Sequence, residues 1–136
     1  MSEPKEMNDF LDRLLDFLKS LELTMPVELG LFEEKDTVAV APMQGGLVLT
    51  KYYNGMTHKR LPYEIGIKVF ENQPLALTTL NLIANRLANL KDIPSQNDSY
   101  ELVSIQISSE PFYRGQDVEG YFFYRLEIEV DLNLKK

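Results

Sequence analysis

Near the end of the chain, the stretch YFFYRLEIEVDLNL alternates with a period of two. Phe122, Tyr124, Leu126, Ile128, Val130, Leu132 and Leu134 share one face; Arg125, Glu127, Glu129, Asp131 and Asn133 share the other. Successive side chains of a strand point to opposite sides, so this segment predicts a long strand with one buried face and one charged face. A strand of that kind belongs to an antiparallel sheet covered on one side only. The rest of the chain must supply its partners and its cover.

The cover comes from two helical patterns. Ser2 is positioned to cap a first helix, with Glu3, Pro4 and Glu6 in its first turn. Met7, Phe10, Leu11, Leu14, Phe17, Leu18 and Leu21 follow at spacings of three and four, a stripe that suits packing on a sheet. Its polar side is largely acidic, unlike the basic face of a membrane-surface helix. Asn72 or Gln73 caps a second helix with Pro74 in its first turn, and Ala76, Leu80, Ile83, Ala84 and Leu87 mark its buried side.

The partners come from shorter runs. MPVELGLFEE and DTVAVAPM offer two strands around an EEKD turn, and QGGLVLTKYY another, with Gly45-Gly46 as a bend. Asn54-Gly55 predicts a two-residue type I′ hairpin turn. After it, Leu61, Tyr63, Ile65, Ile67 and Val69 alternate with polar or small residues, and Pro62 predicts an edge or a bend there. In YELVSIQIS, Val103, Ile105 and Ile107 are assigned inward. The following SEPFYRGQDVEG reads as a mobile loop or a β-bulged hairpin end. The expected fold is α+β: a two-layer sandwich with a mainly antiparallel sheet, two helices on one face and a projecting β-hairpin, in the order α-β-β-β-α-β-β. At 136 residues the chain is the size of one domain.

The charge is uneven. The formal net charge is −7, which argues against non-specific nucleic-acid binding. Yet residues 37–63 hold no acid and include Lys51, Lys59 and Arg60. Those cations, with Tyr52, Tyr53 and His58, define a basic hairpin arm. Two readings stand side by side: lysines that guard a strand edge, and an arm that docks on an acidic surface such as that of an identical neighbour. The absence of cysteine excludes disulfides and thiolate metal sites. No run reaches the length of a membrane span, and the N-terminus lacks the apolar core of a secretory signal, so a soluble cytoplasmic protein is expected.

Catalytic chemistry is hard to assemble from these residues. His58 is the single histidine and sits among basic neighbours. No metal-ligand spacing and no phosphate loop is present, since Gly45-Gly46 is followed by neither Gly-Lys-Ser nor Gly-Lys-Thr. Adjacent Glu33 and Glu34 point to opposite faces of any strand. The stripe Arg125, Glu127, Glu129 and Asp131 sets neighbouring positions roughly 7 Å apart, within the range of paired carboxylates, but a solvated outer sheet face explains it as well. The seven tyrosines suit an interface and equally suit ordinary strands. No catalytic residue, cofactor or metal is expected.

The stretch YYNGMTHKRLPYEIGIKVFENQPLALTTLNLIANRL resembles the small minor capsid proteins of Gram-positive prophages, which are similar in layout to tail terminator (tail completion) proteins. The shared features are an Asx-Gly hairpin, a basic pair, Pro-aromatic, an alternating IGIKV strand and a helix with TLNLIANRL. The resemblance implies a non-enzymatic virion part formed of a single tail-terminator-like domain over residues 1–136. Such proteins ring the end of the tail tube as hexamers and stop its growth. The implied partners are identical subunits, the major tail tube protein and the head connector. There is no membrane partner and no sequence-specific nucleic acid, although DNA passes through the lumen. The implied place is the host cytoplasm during assembly and then the head–tail junction. The arm is then an oligomer interface, and the acidic stripe either lines the lumen or receives the arm. A connector stopper, and an unrelated small acidic enzyme or regulatory domain, remain as alternatives.

Overall fold

The computed structural model describes residues 8–30 and 35–135. The elements run α1 (Phe10–Ser20), β1 (Val27–Leu29), β2 (Thr37–Pro42), β3 (Leu47–Lys51), β4 (Thr57–Val69), α2 (Gln73–Ala88), β5 (Tyr100–Gln116) and β6 (Phe122–Leu134). This is the expected α+β sandwich; all four runs read as strands between the helices form strands, one more than the order α-β-β-β-α-β-β has there. The predicted cap at Ser2, its first turn with Glu3, Pro4 and Glu6, the stripe residue Met7, and Glu33 and Glu34 lie outside the described residues.

The spine is the antiparallel pair β4–β6, in register from Thr57↔Leu134 to Val69↔Phe122 without a break. Both strands alternate cleanly, so matched register puts Tyr63, Ile65 and Ile67 beside Ile128, Leu126 and Tyr124 on one face. The six-stranded sheet has the order β1-β2-β4-β6-β5, with β3 also pairing β4. All pairings are antiparallel except β1–β2.

The helices lie over that one apolar face. Phe10, Leu14 and Leu18 of α1 join Ala76, Leu80, Ile83 and Leu87 of α2 and the inward residues of β2, β4 and β6 in a single core. The Phe10 ring contacts Tyr63 and Tyr100, each at 5.5 Å between centroids. α2 starts as its sequence demands: the Asn72 side chain accepts from the Leu75 N–H at 3.1 Å, and Pro74 sits where a missing N–H costs nothing. α1 starts differently. Asp9 stands at its cap position, but its carboxylate accepts from the Ser95 hydroxyl (2.6 Å), the Gln96 N–H (2.9 Å) and the Ser99 hydroxyl (3.1 Å). Burial alone would raise its pKa; these hydrogen bonds outweigh burial and hold it below the ordinary value. The polar loop PSQNDS is thereby a clasp that holds the start of α1.

Three local readings are corrected. Pro62 lies in a central strand, not at an edge. Its carbonyl accepts from the Met43 N–H, so its N–H-less side faces the gap between β2, which ends opposite Tyr63, and β3, which begins opposite Arg60. The ladder is already broken there, and the proline removes nothing. The Asn54-Gly55 turn is not type I′. Gly55 alone takes a positive φ (+89°), its N–H donates to the Tyr52 carbonyl, and the Tyr52 N–H donates to the Met56 carbonyl. The loop is therefore Tyr53-Asn54-Gly55, a three-residue hairpin with a left-handed glycine. Val103 is exposed, because a register shift between Leu102 and Ser104 turns it out. Of the two readings of SEPFYRGQDVEG, the bulged hairpin end is realised: β5 runs on to Gln116 through register shifts around Pro111.

Two substitutions test this account by denaturant unfolding. Ile128→Ala, at a fully buried site, is expected to cost about 2–5 kcal/mol. Gly55→Ala, forced to a positive φ, is expected to cost roughly 1–2 kcal/mol.

Candidate functional site

The face of the sheet away from the helices carries the charged half of the alternation. The β4–β6 register sets His58 beside Asn133, Arg60 beside Asp131, Pro62 beside Glu129, Glu64 beside Glu127 and Gly66 beside Arg125. The predicted arm and the predicted acidic stripe are thus adjacent strands of one chain.

Arg60 and Asp131 form a two-pronged pair, Nε to Oδ1 at 2.8 Å and Nη2 to Oδ2 at 3.1 Å. Glu129 lies 3.6 Å from the same Nε, and His58 Nε2 lies 3.5 Å from Asp131 Oδ2. Arg125 Nε stands 2.7 Å from Glu64 and 2.9 Å from Glu127. Its Nη2 reaches the Met43 sulfur at 3.6 Å. The hydrogen bond from Arg60 is the main reason that the Asp131 carboxyl titrates below its ordinary range, against a smaller opposing effect of burial, with the charges of Arg60 and His58 assisting. Reciprocally, the Asp131 hydrogen bond and charge raise the Arg60 pKa. Two arginines thus face four carboxylates, Glu64, Glu127, Glu129 and Asp131, so the stripe is partly neutralised from within the chain and keeps an acidic surplus.

Further along this face, Ala39 stands beside Gly66 in the β2–β4 register. These two small residues, with Ala41, leave a concavity of about 420 Å³, walled by Glu64, Arg125 and the end of β5 from Arg114 to Asp117. Lys68, buried on the same face, places its ammonium 4.2 Å from the Tyr121 ring centroid. Sequence patterning did not single out Glu64, Lys68 or this concavity; the run of small residues at alternate positions, Ala39, Ala41 and Gly66, was the available signal.

The remaining arm residues are dispersed. Lys59 points to the opposite face from Arg60, beside Leu132. Lys51 ends β3, Tyr52 closes the hairpin loop and Tyr53 opens it, with Tyr53 fully exposed. The structure brings together His58, Arg60, Glu129 and Asp131, and separately Arg125 and Glu127; it does not join Lys51, Tyr52, Tyr53 or Lys59 to either group. Among the described residues no group of three or more histidines, aspartates or glutamates could hold a metal ion, and no helix is long and apolar enough to cross a membrane.

The sign of the pH dependence follows from the lowered Asp131 value. The stability contributed by the pair is complete above the ordinary aspartate pKa of 3.8 and is lost as pH falls through the lower folded value. Arg60→Met should therefore cost most stability near neutral pH, with the gap from the parent closing below about pH 4. A gap that stays constant in denaturant titrations from pH 7 to pH 3 would show that the pair contributes nothing specific.

No family model matches the sequence, and no curated protein matches it. Solved structures do. A chain from the virion of a native gene transfer agent particle superposes with a TM-score of 0.62, at 10% identity, over 94% of this chain and 93% of that one. A second solved structure, whose name states no function, superposes with a TM-score of 0.53 at 10% identity over 93% of this chain and 91% of its own. The chain shares its fold, over most of its length, with a chain of a virion particle.

Proposed function

We propose that this protein is a non-enzymatic part of a phage-like virion, a tail terminator that forms a ring on the end of the tail tube and joins it to the head. The observation that carries this reading is the nearly complete mutual coverage between this chain and a chain of the gene transfer agent virion. The resemblance of residues 52–87 to prophage minor capsid proteins points the same way from independent features. The proposed partners are identical subunits, the tail tube protein and the head connector, and the proposed place is the head–tail junction.

The ion-pair geometry bears on how the charged face serves such a ring. A neighbour's arm that docked on Asp131 would compete with Arg60 of the same chain, held there by two hydrogen bonds. The face is better suited to line the lumen. Its surplus of carboxylates disfavours DNA phosphate, and its internal pairing keeps the side chains fixed as the genome slides past.

The test is tail-tube assembly. Purified protein added to the purified tube protein of the same virion should cap tube ends and halt elongation, read as end-labelled, shortened tubes by electron microscopy. Tubes that grow to the same length without bound protein would defeat the terminator reading. Arg60→Glu should impair capping through loss of the folded face, whereas Tyr53→Ala, at the turn, should leave the monomer's stability unchanged.

A further inference from the structure

The outer half of the sheet exposes a strand that has no reason to be left bare. Every residue of β3 is exposed, including Leu47, Val48 and Leu49, and the adjoining Tyr52 and Tyr53 extend the apolar run. β3 pairs only with β4, so its other edge presents unpaired backbone groups among the described residues. An exposed apolar edge strand is a template for another strand.

The sheet itself indicates which strand. Leu47 pairs Arg60, Arg60 pairs Asp131, and Asp131 pairs Ser104; Lys51 pairs Thr57, Thr57 pairs Leu134, and Leu134 pairs Tyr100. Residues 100–104 of β5 therefore lie at the same level as β3, on the opposite margin of the same sheet. Three antiparallel steps separate the two, so β5 runs antiparallel to β3. β5 is also an edge, pairing only with β6. Its far half is blunted by Pro111 and by successive register shifts between Ile107 and Gly115, a usual protection against edge pairing. Residues 100–104 carry one shift and an outward Val103.

We propose that β3 of one copy pairs antiparallel with residues 100–104 of a second copy, joining the sheets head to tail. A rotation about an axis along the strands keeps strand direction and level, and so brings these two segments together without a shift. In that register Thr50 meets Glu101 on the outer face, through His58 and Asn133, and Val48 meets Leu102 on the other face, through Lys59 and Leu132, covering the half-exposed Val48. The charges agree: the β3 hairpin lies in the acid-free, basic segment, and the second copy's edge bears the acid. The contact uses two different surfaces, so it propagates and closes into a ring when the rotation divides a full turn. It rests on the ring of the proposed function and specifies which edges build it.

The chain has no cysteine, so introduced pairs report without background. Opposed residues of antiparallel strands bring Cα atoms to within disulfide range. Thr50→Cys/Glu101→Cys in one chain, at two exposed positions level with each other, oxidised at high concentration with and without tail tubes, should give a ladder of covalent oligomers on non-reducing gels. Thr50→Cys/Val118→Cys, its second cysteine exposed at the far end of the sheet, should not. A ladder no stronger than this control in both conditions overturns the proposal, as does efficient dimerisation of Thr50→Cys alone, which would mean like edges pairing. Sedimentation in parallel separates the two readings. Rings without the cross-link remove this contact and leave the terminator role standing; the cross-link without tube capping does the reverse.

Discussion

The unbroken register between β4 and β6 governs the rest of the molecule. It aligns two alternating patterns so that every large apolar residue of one strand meets its counterpart on the helix side. A slip of one residue would turn one strand's apolar set outward and bring its charged residues to the core side. The same register makes the outer face, because Arg60 reaches Asp131 only when Leu61 stands opposite Val130. Core and charged face are two readings of one alignment, and neither can be altered by sliding the strands without destroying the other.

The pairing on the outer face matters for specificity more than for strength. Exposed ion pairs add little to stability, since solvent screens them and long side chains lose freedom. Asp131 is the more buried partner, with its side chain only 10% exposed, and a carboxylate in that position needs its hydrogen bonds. Arg60 provides two. Within the proposed ring, a face so arranged is a fixed surface with a modest acidic surplus and not a set of free carboxylates waiting for a partner.

Much of the fold was legible because it is written locally. The period of two in β6 and the second half of β4, and the three-four spacing with Asn72 and Pro74 in α2, state their own geometry. The misreadings came where a residue's meaning depends on a distant neighbour. Pro62 is harmless in a central strand only because the chain opposite leaves the ladder at residues 43–46. Val103 faces out because of a bulge that no alternation reveals. The candidate site was half legible: its residues were named, but the Arg60–Asp131 contact joins positions 71 apart and depends on register, so arm and stripe read as separate surfaces. The Asp9 clasp was missed for the same reason, its serine partners lying 86 and 90 residues away.

The interruption at residues 43–46 divides the hairpin into two units of unequal fate. β2 is sealed into the core side of the sheet, whereas β3 is held by β4 alone, with its side chains in solvent. Opening β3 therefore removes few buried contacts and falls at the low end of the free-energy scale for local opening, far from that of the β4–β6 spine. The chain thus has a segment that can be rebuilt at little energetic cost while the body remains folded. Evolution can alter the length or sequence of that segment to suit a new neighbour without renegotiating the core.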